Sequence, residues 1–235
     1  MTRFKPLDRL IFPLDLPDWA AAEKMARALN GHVGWFKVGL ELFVSEGPSV
    51  LARLRDLAPE TKIFLDLKLH DIPATVGLAA AAAARLGPEM LTVHAQGGLE
   101  MMRAAVTQGG SALVLAVTVL TSLDPSSWEE LSPEFRAPGA LVRCLADRAR
   151  AAGCGGLVAS GHELQTLRAA FPDMKLVVPG LRPAWARVAG DDQKRTATPR
   201  QAVRDGADYL VIGRPIRDAP DPVEAADRLA AELVD

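Results

Sequence analysis

Cysteine is nearly absent: Cys144 and Cys154 are the only two in 235 residues. They form neither a disulfide framework nor a metal-spaced cluster, and both read as buried free thiols in a reducing compartment. Aromatic residues are also scarce at 5%, and the tryptophans, Trp19, Trp35, Trp128 and Trp185, are scattered. The stacking platform that single-stranded nucleic acid needs is therefore missing. Charge of one sign is lacking too, because 27 basic and 29 acidic residues leave a net −2. That balance excludes the basic footprint of a nucleic-acid or anionic-membrane binder. No apolar run approaches the roughly 20 residues of a membrane span. The N-terminal patch is broken by Pro13 and Asp15, and the alanine run 79–84 is short. The expectation is a cytoplasmic protein with no signal segment.

What remains is an ordinary soluble balance, 49% hydrophobic and 24% charged, in a chain long enough for one large domain over residues 1–235. Strand-like apolar runs recur at 10–16, 34–40, 62–68, 90–95, 112–120, 156–160, 175–180 and 209–213. Helical patterns lie between them at 18–29, 48–57, 73–86, 99–107, 139–152, 162–170, 199–205 and 222–234. Thr198 before Pro199 and Asp221 before Pro222 are helix starts, and Gly31, Gly87, Gly153 and Gly206 are helix stops. Leu141, Leu145, Ala149 and Ala152 recur as a core-facing helical stripe. Eight strands alternating with eight helices, with no segment left over, predict a single-domain α/β (β/α)₈ TIM barrel with a parallel sheet covered on both faces.

Active sites in such barrels gather at the C-terminal ends of strands. There the sequence places Asp15, Lys37, Asp66 with Lys68, His94, Thr121 with Ser122, and Gly213 with Arg214. The long connections 121–138 and 181–198 fall at the same end and read as lids. The most informative stretch is DLKLHDIPAT at 66–75. Alternation along a strand points Asp66 and Lys68 one way and Leu65 and Leu67 the other. Charges at a buried strand end need partners, so Asp66, Lys68 and Asp71 read as a charge network kept for chemistry. A lysine between carboxylates keeps its ammonium form, which suits donating a proton and not forming a Schiff base. Gly213-Arg214 after the last strand, beside the turn 179–182, reads as a phosphate site. A carboxylate facing a substrate anion repels it, and loss of that anion relieves the repulsion. The combination favours decarboxylation followed by protonation at carbon.

The blocks KVGLELF, DLKLHDIPAT, VTVLTS, VVPGLRP, GDDQKR and VIGRPI, in this order, resemble the orotidine 5′-monophosphate decarboxylase family over essentially the whole chain. The resemblance implies Lys68 as proton donor to C6 of the pyrimidine and Asp66 beside the departing carboxylate. Lys37 and Asp71 would complete an alternating charge chain. It further implies a homodimer in which Asp71 and Thr75 reach the neighbouring subunit's site. Asp15, Lys37 and Thr75 would meet ribose hydroxyls, and Thr121 with Ser122 the pyrimidine edge. Arg182, Gln193, Gly213 and Arg214 would hold the 5′-phosphate, Gln193 on a closing loop. No metal and no organic cofactor are implied. Position 74 is alanine where the family commonly has asparagine, and GDDQKR carries an extra acidic residue. Two rivals stand beside this reading: a metal-dependent sugar-phosphate lyase with a similar acid-x-lysine strand, and a non-catalytic nucleotide-binding barrel.

Overall fold

The computed structural model describes residues 5–120, 138–186 and 197–233. Eight parallel strands close into a barrel in chain order: β1 Leu10–Pro13, β2 Trp35–Val38, β3 Lys62–Leu69, β4 Met90–His94, β5 Leu113–Val117, β6 Gly156–Val158, β7 Lys175–Val178 and β8 Tyr209–Val211. The barrel predicted from the sequence is thus the one observed. Closure is carried by β1 against β8, where Leu10 pairs with Leu210 and Ile11 with Val211.

The helices are α1 Trp19–Leu29, α2 Leu40–Glu46, α3 Ser49–Leu57, α4 Pro73–Arg85, α5 Gly98–Gln108, α6 Pro138–Ala152, α7 Leu164–Ala170, α8 Pro199–Arg204, α9 Arg214–Arg217 and α10 Pro222–Glu232. Eight of them are the helices read from the sequence; α2 and α9 are additions among the described residues. Both follow a strand directly after a glycine, Gly39 or Gly213; the first overlaps a run read as strand to residue 40, and the second falls in a stretch assigned to no element. The expected caps are present: Thr198 Oγ1 accepts from Gln201 N, and Asp221 Oδ1 from Val223 N and Glu224 N. The four expected stop glycines all have φ between +69° and +108°.

Alternation divides the strand side chains into two cores. Phe12, Phe36, Leu65, Leu91, Ala116, Leu157, Leu176 and Leu210 point outward and join the helices in the main core. The stripe Leu141, Leu145, Ala149 and Ala152 of α6 is buried there as expected. Ala80 and Ala83 bring α4 close to the barrel, while Leu78 stays 74% exposed. Ile11, Trp35, Phe64, Met90, Leu115, Val177 and Tyr209 fill the barrel interior. Each fully buried aliphatic or aromatic side chain contributes about 1.5–3 kcal/mol. Trp35 anchors the floor: its Nε1 donates to Asp8 O at 2.9 Å, and its ring meets Tyr209 edge-on at 5.3 Å. Two residues beyond this interior layer, on the same faces, come Pro13, Lys37, Asp66 and Thr92, with Gly213 four beyond Tyr209. The barrel therefore turns from apolar to charged at its C-terminal mouth. Cys154 is buried as expected, which pushes its thiol up to about 12, but Cys144 is only partly buried.

Candidate active site

A cavity of about 390 Å³ opens at that mouth, lined by Asp15, Lys37, Asp66 and Lys68 on one side and Arg182, Gly213, Arg214 and Arg217 on the other. Phe64, Val158 and Val211 form its apolar floor, and Pro13, Pro179 and Gly180 its rim. The volume and the mix of apolar wall with few polar groups suit a small-molecule ligand.

The charged wall is a continuous chain. Lys37 Nζ lies 2.8 Å from Asp15 Oδ1 and 3.5 Å from Asp66 Oδ2, and Lys68 Nζ lies 2.8 Å from the same Asp66 oxygen. Asp66 is buried, and burial pushes its carboxyl up; Lys37 and Lys68, with hydrogen bonds from Lys68 and Thr92, outweigh this and hold it below its ordinary value. Asp66 is therefore an anion fixed inside the barrel. Asp15 is half exposed at the rim. Gly39 passes so near this pair that an added Cβ would meet Asp15 Oδ1 at 2.6 Å and Lys37 Nζ at 2.8 Å. No side chain fits at that position without displacing the pair.

The expected faces hold in β3: Asp66 and Lys68 line the cavity, while Leu65 and Leu67 pack in the outer core. The route is not a plain strand, however. The β3–β4 register runs from Leu65 opposite Leu91 to Leu69 opposite Val93, so Asp66, Leu67 and Lys68 stand against Thr92 alone. Lys68 has φ +49°, the one positive φ outside glycine among the described residues. That left-handed backbone costs a Cβ-bearing residue roughly 1–2 kcal/mol, and such strain collects at functional sites. Thr92 holds the bulge: its hydroxyl donates to Asp66 Oδ1 at 2.9 Å and accepts from Lys68 N at 2.9 Å.

Asp71 and Thr75 lie apart from this chain. Both are exposed, and Asp71 Oδ1 accepts from Ile72 N at 2.6 Å. On the opposite wall Arg182 is 6% exposed, its backbone N–H on Ala197 O. Arg214 begins α9 and is exposed. Gly213 packs on β1, where an added Cβ would meet Pro13 Cγ at 2.9 Å. Thr121, Ser122 and Gln193 lie outside the described residues, as do Trp128 and most of both long connections. His94 ends β4 with its ring 5.3 Å from that of His70; burial first, then His70 and Lys68, lowers its pKa. Among the described residues no three His, Cys, Asp or Glu side chains stand close enough to hold a metal ion. No helix of the described residues is long and apolar enough to cross a membrane.

Sequence reading missed Thr92, Gly39 and Arg217. The signal for Thr92 was a polar residue in the inward register of an apolar strand. Gly39 and Arg217 left no signal stronger than adjacency to a strand end.

Fold and pocket together define a (β/α)₈ barrel with a charged cavity at its C-terminal mouth, where such barrels carry their active sites. Residues 8–229 match the Orotidine 5′-phosphate decarboxylase / HUMPS family, and the chain belongs to that family. It is similar to orotidine 5′-phosphate decarboxylase of Anaeromyxobacter dehalogenans, 53% identical over 231 residues, 97% of this chain and 100% of that protein. The protein of the same name from Thermobifida fusca is 52% identical over 221 residues, 94% of this chain and 93% of its own. Among solved structures, orotidine 5′-phosphate decarboxylase from Lactobacillus acidophilus superposes with a TM-score of 0.82 at 34% identity, covering 96% of this chain and 99% of that one.

Proposed function

We propose that the protein decarboxylates orotidine 5′-monophosphate to uridine 5′-monophosphate and CO₂, the last step of de novo pyrimidine nucleotide synthesis, as a cytoplasmic carbon–carbon lyase that needs no metal or organic cofactor. One observation carries the reading: a buried, ionised Asp66 stands between Lys37 and Lys68, across a cavity from Gly213, Arg214 and Arg182. A site built only to bind an anionic nucleotide has no use for a fixed carboxylate in it. The names of the relatives at 53% and 52% identity support the same substrate.

In this reading the 5′-phosphate lies against Gly213, Arg214 and Arg182, with Gln193 closing over it. Asp15, Lys37 and the partner subunit's Thr75 meet the ribose hydroxyls, and Thr121 with Ser122 meets the pyrimidine edge. The substrate carboxylate then faces Asp66. The C6–carboxylate bond breaks with its electron pair left on C6, CO₂ departs, and the Lys68 ammonium 2.8 Å from Asp66 gives a proton to C6. Solvent returns that proton to Lys68. Repulsion from Asp66 is relieved as the charge leaves, and phosphate contacts remote from C6 contribute binding energy to the same step. Within one chain Asp71 stands outside the charge network, so its catalytic place lies in a neighbouring subunit. Ile72, 65% exposed, and Leu78, 74% exposed, give the apolar surface for a homodimer beside it.

The family description also covers a second group, and a metal-dependent sugar-phosphate lyase remains the rival within it. The test is the ultraviolet absorbance of orotidine 5′-monophosphate on adding protein in EDTA. Conversion to the spectrum of uridine monophosphate is expected. A silent protein in EDTA that acts on a sugar phosphate once Mg²⁺ is supplied would transfer the chain to the rival.

A further inference from the structure

We infer that Thr92 is a positioning residue that sets the approach of the Lys68 ammonium to the pocket. Its side chain is 0% exposed and it faces the cavity end of the barrel from β4. One hydroxyl serves both members of the ion pair: its proton goes to Asp66 Oδ1 at 2.9 Å, and its oxygen receives the Lys68 backbone N–H at 2.9 Å. A threonine hydroxyl has one proton to give, so the two bonds fix each other's direction.

The backbone geometry says why such a tie is needed. Three β3 residues oppose Thr92, and the third of them, Lys68, sits at φ +49°. A residue with a Cβ leaves that region unless its surroundings hold it there. In a regular ladder the Lys68 N–H would meet a main-chain carbonyl of β4; here the Thr92 hydroxyl takes that place. The same group orients Asp66, so carboxylate and ammonium are referred to one atom, Thr92 Oγ1. Thr92 does not line the cavity, and it acts through Asp66 and Lys68.

The choice of assay rests on the decarboxylase reading; the geometry does not. Thr92→Val keeps the branched shape and removes both hydrogen bonds, whereas Thr92→Ser keeps the hydroxyl and loses only a methyl group. For decarboxylation of orotidine 5′-monophosphate, Thr92→Val is expected to lose about 10²-fold in kcat, the usual effect of misplacing a reacting group by an ångström. KM and product affinity should stay within about threefold, because no ground-state contact is removed. Thr92→Ser should keep kcat within about threefold of the parent. Equal kcat in Thr92→Val and the parent would overturn the inference. So would a Thr92→Ser as impaired as Thr92→Val, which would assign the effect to packing. If Thr92→Val does not fold, Thr92→Ser against Thr92→Ala poses the same question. A parent protein inactive on this substrate refutes the proposed function alone. The crystal structure of Thr92→Val then decides, with Lys68 expected to leave the left-handed region; an unchanged φ and Asp66–Lys68 contact would overturn the inference whatever the reaction is.

Discussion

The barrel carries an ion network at each end, and the two are built differently. At the N-terminal floor Asp208, just before β8, receives Arg168 Nη2 at 2.6 Å, Leu176 N at 2.9 Å and Lys175 Nζ at 3.3 Å. Arg168 also donates to the main-chain carbonyls of Gly206, Pro172 and Met174. These charges tie loops and strand starts together through the backbone. At the mouth, Asp15, Lys37, Asp66, Lys68 and Thr92 bond almost wholly to one another's side chains, around a cavity, with Lys68 strained. A charge network by itself therefore says little about function. Bonds spent on the main chain mark the structural one; bonds spent within the network, strain and an open cavity mark the chemical one.

The largest expected effect separates the two ends. Lys68→Ala should lower turnover by about 10²–10⁴-fold, the range for losing a proton donor, with the urea midpoint held near the parent's. Retained turnover would remove the mouth network from the chemistry. Next, Arg168→Ala should cost about 1–3 kcal/mol in urea unfolding, since the partly buried carbonyls of Gly206 and Met174 and the Asp208 carboxylate lose a charged donor. Its kcat should be unchanged at temperatures where it is folded; a lost kcat would break the division between floor and mouth.

The smallest effect concerns pH. The Asp66 carboxyl is held below its ordinary value in the folded protein, so the unfolded chain binds that proton more tightly. Its stabilising share is complete above the unfolded carboxylate value, about pH 4, and fades as pH falls through the lower folded value. The stability difference between the parent and Asp66→Asn should therefore stay level from pH 7 to 5 and change only below about pH 4. A difference that already drifts between pH 7 and 6 would mean that Asp66 is not the ion described.

How far the sequence reached follows from which contacts are local. The barrel was legible because buried parallel strands read as apolar runs, and because caps such as Thr198 and Asp221 act within three residues. Asp66 and Lys68 were legible because alternation gives the face of a residue from its own strand, and Lys37, Gly213 and Arg214 because they stand at or just past the C-terminal ends of strands. The bulge was not, since register between β3 and β4 depends on residues far apart in the chain, and Thr92 gains its meaning only from a partner 26 positions away. Helix α2 was hidden because the apolar pattern of β2 carries on past Gly39, and α9 because its four residues are too few to show a helical period. Asp71 was read into the charge network from its closeness in sequence to Lys68, and Thr75 from family resemblance; a single chain leaves both on the surface.

The most direct measurement is a side-by-side turnover assay of the parent, Lys68→Ala and Arg168→Ala on orotidine 5′-monophosphate in EDTA, at a temperature where all three are folded. The account expects the parent and Arg168→Ala to convert it at comparable rates and Lys68→Ala to leave it almost untouched. Conversion by Lys68→Ala at the parent's rate would contradict the account.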